Sequence, residues 1–193
     1  MNNLDEVYSF IYRGLLTQES LDLAGRPQPK TSDMADSEIG GLISIEVLNE
    51  DLVTDARGMA IVYTAIAAFE NSVRKLVSDT LLENKGANWW TDCVSEKIRN
   101  AAEQRLTEER KVRWHVQRGD GPLDFTMLPN LLNIIRQNID CFEPFIHDIE
   151  WAASIFEVIE KSRNVIMHSG RLSRRDVARL GTHIRDWSAQ VTI

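Results

Sequence analysis

Residues 54–83, TDARGMAIVYTAIAAFENSVRKLVSDTLLE, decide how the chain folds. Ile61, Ala65, Phe69, Val73, Leu76 and Thr80 recur at helical spacing, with Val62, Ile66 and Val77 beside them. That period puts the apolar residues on one face of a long helix, and such a face needs other elements to cover it. Gly86 stops the helix after about Glu83. Nowhere does the chain show the apolar/polar alternation of a half-buried strand, so the partners must also be helices and the fold class is an all-α bundle.

Toward the C-terminus, Asn88 or Thr91 is positioned to cap a second helix through about Leu106. Residues 107–125 carry mixed charge and a Gly-Asp-Gly-Pro turn and read as a loop. A third helix covers Leu128 to Asn138, with Pro129 in its first turn, and Pro144 separates it from the next element. A fourth long helix spans 148–168, with Trp151, Ile155, Val158, Ile159 and Ile166 as its stripe, and Gly170 ends it. Ser173 with Asp176 resembles a capping box for a last helix over about 174–190. Toward the N-terminus, residues 4–18 read as a short amphipathic helix. Residues 24–37, with Pro27 and Pro29, read as a loop. Gly40-Gly41 breaks the following stretch and leaves a short helix near 42–50. Two regions result: an acidic helix-loop extension over 1–56 and a helical domain over 57–193.

A chain of 193 residues with 43% hydrophobic and 26% charged residues can bury a real core without disulfides or a structural metal. Cys93 and Cys141 are far apart and form no CxxC pair, which favours buried, reduced thiols over a disulfide or zinc site. The opening MNNLDEVYSFIYRGLL has no positively charged leader, and no window approaches eighteen apolar residues. The expectation is a cytoplasmic protein with no membrane span, no metal and no cofactor. The net charge of −7 argues against a general nucleic-acid binder, but its distribution is uneven. Residues 1–56 carry eleven acids and three bases, and the rest carries eighteen acids and nineteen bases.

The chemistry concentrates in residues 162–170, SRNVIMHSG. On a helix Asn164 and His168 stack four apart on one face, whereas Arg163 and His168, five apart, lie about 140° around the axis. His168 falls in the last turn, where the helix dipole favours a cationic imidazole. A histidine titrating near neutrality is the usual general acid/base, and a nearby arginine can hold a phosphate or its developing charge. Dipole complementation and ordinary carbonyl bonding at a helix end are the bland alternative. Between 161 and 185 the chain carries Lys161, Arg163, Arg171, Arg174, Arg175, Arg179 and Arg185 against the single acid Asp176. Such a basic patch suits an RNA phosphate, or it is a solvated helix face.

An all-α bundle whose late helix ends in Arg163-Asn164-VIM-His168 resembles the HEPN superfamily, in the branch found in bacterial defence proteins and joined to PIN-type endonucleases in eukaryotes. The segments AFENSVRKLVSDTLLENKGANWW, WHVQRGDGPLDFTML, EWAASIFEVIEKSRNVIMHSG and IRDW carry the likeness over roughly residues 55–190. The resemblance implies a HEPN-like bundle of four to five main helices after the acidic extension. It implies a metal-independent endoribonuclease, a toxin or antiphage defence effector, acting as a homodimer whose motif helices pair across the axis. In that family the ribose 2′-OH attacks the adjacent phosphate and gives a 2′,3′-cyclic phosphate and a 5′-OH. Carried onto this chain, Arg163 stabilises phosphate charge, His168 moves a proton or positions the 2′-OH, and Asn164 orients His168. Glu70 would neighbour the motif helix; otherwise it faces solvent, paired with Arg74.

Arg171, Arg174, Arg175, Trp114 and His115 are the remaining RNA-binding candidates. Trp114 and His115 would stack on bases, unless the tryptophan packs onto the bundle. Trp89-Trp90 read as core or dimer-interface anchors. The alternative function is a non-catalytic HEPN-like module that binds nucleotide, RNA or a partner protein. The acidic extension is expected to complete the fold, or else to lie as a lid over the basic face or recruit a regulatory protein partner.

Overall fold

The computed structural model describes residues 3–23, 34–112 and 114–191. Every regular element among them is helical, and the chain divides into two compact units, residues 1–53 and 54–193.

The first unit holds α1 (Asn3–Leu23), α2 (Asp36–Leu42) and a 3-10 turn at Ile45–Val47. Helix α1 runs further than the expected 4–18. It exposes Tyr8, Phe10, Ile11 and Tyr12. Most of the loop expected over 24–37 lies outside the described residues. Where description resumes, Gly40-Gly41 does not break the chain but sits inside α2. Asp36 and Glu38 in the first turn favour that helix through its dipole, which offsets the weak propensity of two glycines. The helix expected near 42–50 is replaced by the 3-10 turn, entered through Ser44 in a left-handed conformation (φ 52°).

The second unit is built on α3 (Glu50–Lys85). The Asn49 side chain caps it by accepting from the Asp51 and Leu52 N–H groups at 3.0 and 3.3 Å. Gly86 ends it at φ +81°. Its buried stripe is Val62, Ile66, Phe69, Val73, Val77, Thr80 and Leu81. The expected stripe is therefore right from Phe69 onward but wrong at Ile61, which is 76% exposed, and at Ala65, which is also exposed. By length and composition α3 is also apolar enough to cross a bilayer, contrary to the expectation that no such window exists. Only 17% of that window is buried, while the inner face of the helix packs in the core of this unit.

The second helix is interrupted. α4 (Trp89–Cys93) and α5 (Glu96–Arg110) are separated by the extended Val94 and by Ser95, and α5 takes in residues 107–110 that read as loop. Side chains four apart support that turn on an exposed helix, as in the bond from the Gln104 amide to the Glu108 carboxylate. A 3-10 turn (Pro122–Phe125) leads to α6 (Leu128–Gln137) and the single turn α7 (Ile139–Phe142). Helix α8 (Ile149–Met167) starts at Asp148, whose carboxylate accepts from the Glu150 and Trp151 N–H groups. Helix α9 (Arg174–Val191) starts on the expected Ser173/Asp176 box, each residue bonding the other's backbone N–H at 3.2 Å.

Trp187 of α9 is the keystone of the core. It meets Phe156 of α8 and Phe69 of α3 edge-on, at 5.3 and 5.7 Å, and stacks on Trp151 of α8. Aromatic contacts of this geometry add to the area they bury. They fix α8, and with it the 162–170 segment, against α3.

Candidate functional site

The end of α8 is closed by its own backbone. His168 is the capping residue, its N–H bonded to the Asn164 carbonyl at 3.2 Å. Ser169 then adopts φ +60°. Its N–H bonds the Ile166 carbonyl at 2.9 Å, and the Gly170 N–H reaches back to the Val165 carbonyl at 2.8 Å. This is the paired-bond closure that follows a left-handed residue. The left-handed position belongs to Ser169, not to the glycine. Gly170 is required for a different reason: a Cβ there would lie 2.8 Å from both the carbonyl oxygen and a methyl of Val165. The closure leaves the His168 side chain exposed at the helix end.

Arg163, one turn earlier, is held from α3. Its Nε lies 3.1 Å from Glu70 Oε1. The Glu70 side chain is only 12% exposed, so the alternative of a solvent-facing glutamate does not hold. Its other oxygen faces Arg74 Nη2 at 3.5 Å, and Arg74 also donates to the Thr126 carbonyl and to Asn71 Oδ1. One largely buried carboxylate thus sits between two guanidiniums. Asn164 is exposed and contributes its carbonyl to His168; the described contact is through the backbone.

The remaining candidates divide. Arg171 forms an ion pair with Asp55 of α3, and the Leu172 N–H bonds Met59 Sδ at 3.4 Å, so the segment leaving the motif is also fastened to α3. Arg174 and Arg175 are exposed at the start of α9. The Asp176 carboxyl is held below its usual range, first by the Ser173 hydroxyl and backbone N–H, then by Arg179 and Arg175. Trp114 is 86% exposed and touches His115 edge-on at 5.5 Å, so it does not pack onto the bundle. Trp89 is buried, Trp90 is partly buried, Cys141 is buried and Cys93 is half-buried.

Asp55 and Met59 escaped the sequence reading. They lie more than a hundred residues from their partners, and no local pattern marks such a pairing. Among the described residues, no three His, Cys, Asp or Glu side chains gather as a metal site would need. No protein-family model, curated protein or solved structure matches the chain.

Proposed function

We propose that the second unit is a HEPN-like bundle acting as an endoribonuclease, in a homodimer that brings two motif helices together. One observation supports the reading: a largely buried glutamate of α3 holds Arg163 through Nε, one turn before an exposed histidine at the closure of the same helix. A contact through Nε leaves the paired terminal nitrogens for a phosphate. On an ideal helix Arg163 and His168 would lie about 140° apart around the axis. A second copy supplies the complementary pair across the cleft, which is why the homodimer belongs to the proposal.

The chemistry needs no external nucleophile. The 2′-oxygen of RNA bonds to the adjacent phosphorus as its proton passes to an imidazole. The P–O5′ bond breaks, and the leaving oxygen takes up a proton. Arg163 stabilises the charge on the non-bridging oxygens. The products are a 2′,3′-cyclic phosphate and a 5′-OH, and DNA, lacking the hydroxyl, is not cut. Arg174, Arg175, Trp114 and His115 supply exposed charge and aromatic surface for the strand. A toxin or defence effector is the setting in which such an activity fits.

The test is RNA cleavage in EDTA by wild type, Arg163→Ala and His168→Ala, with product ends analysed. Loss of a general acid/base or a charge-stabilising group is expected to reduce the rate on the order of a hundredfold or more. Folded variants that cut RNA at the wild-type rate would overturn the site. A second reading, a non-catalytic binding module, applies if Glu70 holds Arg163 away from a phosphate. Dimeric wild type that binds RNA without cutting it would select that reading.

A further inference from the structure

The short helix α4 and the turn at Pro122 border an open hollow of about 500 Å³ against α3, lined by Asn71, Arg74, Lys75, Trp89, Trp90 and Asp124, whose carboxylate accepts from the Gly121 N–H. Its size falls in the range of small-molecule sites. It is a different place from the 162–170 segment and has its own chemistry. Trp89 is buried and meets Trp90 edge-on at 5.8 Å, which fixes the half-buried Trp90 ring as aromatic wall. Two consecutive cations of α3 share the cavity. Arg74 lines the cavity with its terminal nitrogens already donating to Asn71, Glu70 and the Thr126 carbonyl, and its Nε is shielded and without a hydrogen-bond partner among the described residues. Lys75 pairs with Asp79 one turn away at 2.6 Å, but both are exposed, so the pair is worth little and exchanges readily for another anion. Asn71 adds a side-chain amide.

We propose that this cavity binds a phosphorylated nucleoside. The base stacks on Trp90, the phosphate is taken by Arg74 and Lys75, and Asn71 reads polar edges. An aromatic wall beside two adjacent cations suits a ligand that is planar at one end and anionic at the other. A purely apolar ligand would leave the cations unanswered, and a bare phosphate would leave the tryptophan unused. The ligand is a free mononucleotide or one nucleotide of an RNA strand; the chemistry is shared. Glu70 touches both Arg74 and Arg163, so a phosphate on Arg74 would act on the carboxylate that holds the motif arginine. Nucleotide binding at this cavity is independent of RNA cleavage and is read by binding alone.

The full chain is titrated with AMP, UMP, adenosine, inorganic phosphate and a short ribo-oligonucleotide, following tryptophan fluorescence and binding heat. Saturable binding of a mononucleotide is expected, with adenosine and phosphate each about tenfold weaker or worse. Trp90→Ala and Lys75→Ala each weaken it about tenfold, and Trp90→Phe retains most of it. Binding of the oligonucleotide with the same dependence on Trp90 and Lys75, but not of mononucleotides, assigns the cavity to a strand. Binding is expected to persist in Arg163→Ala, so failure of the cleavage reading leaves this result separate. No saturable binding of any nucleotide, or wild-type affinity in folded Trp90→Ala and Lys75→Ala, overturns the proposal.

Discussion

At the scale of the residue, Glu70 has the most to lose. Its two oxygens face two different arginines, on its own helix and on α8, and little water reaches it. Glu70→Gln keeps the shape but removes the charge that both guanidiniums answer. A fully buried pair loses several kcal/mol when one partner is removed, but Arg163 is 28% exposed and solvent screens part of that loss. The expected cost is about 1–2 kcal/mol, read as a lower midpoint in thermal unfolding. RNA cleavage is expected to fall at least about tenfold, because Arg163 would no longer be fixed. An unchanged melting curve together with an unchanged cleavage rate would show that the bridge holds nothing.

At the scale of the element, α9 rests on one box at its start. The Ser173 hydroxyl and backbone N–H hold the Asp176 carboxyl below its usual range. A carboxyl lowered on folding stabilises above its unfolded value, and that stabilisation disappears as the pH falls through the lowered folded value. Asp176→Asn is therefore expected to melt below wild type at neutral pH, with the gap closing under acid. Melting curves collected across the acid range would show a constant gap if the box were inert. This helix was legible because its signal is local, two residues three apart before a periodic run. The same holds for α8 and for the centre of α3. The break at Val94-Ser95 and the helical Gly40-Gly41 were not legible, because packing and dipole outweigh propensity there. In the site, Arg163 and His168 stood out by type and spacing. The fastenings of Arg163 to Glu70 and of Arg171 to Asp55 are tertiary, and only a place for Glu70 beside the motif helix was anticipated.

At the scale of the whole molecule, the division between units falls at Val53, inside the first turn of α3, a few residues before the composition changes. A truncation starting at residue 57 would remove the Asn49 cap, two turns of α3 and the partner of Arg171. A truncation starting at Asn49 would keep all three. The shorter chain is expected to be less stable by about 1–2 kcal/mol, most of it from the lost cap, since the Arg171–Asp55 pair is exposed. Circular dichroism melts of both chains measure the difference, and equal midpoints would refute it. Cleavage by the longer of the two reads the role of the acidic extension: a rise marks a lid, and an unchanged rate marks a structural segment.

The closure of α8 also bears on heredity. Met167 is exposed and free to drift, whereas Gly170 has no room for a single added carbon beside Val165. If the proposed RNA cleavage holds, a random-mutation screen for its loss is expected to return Gly170 alongside His168, and the glycine would pass for a reactive residue although it has no chemistry of its own. Its role is inherited from the strand of backbone it clips, and so it marks the motif as surely as the histidine does.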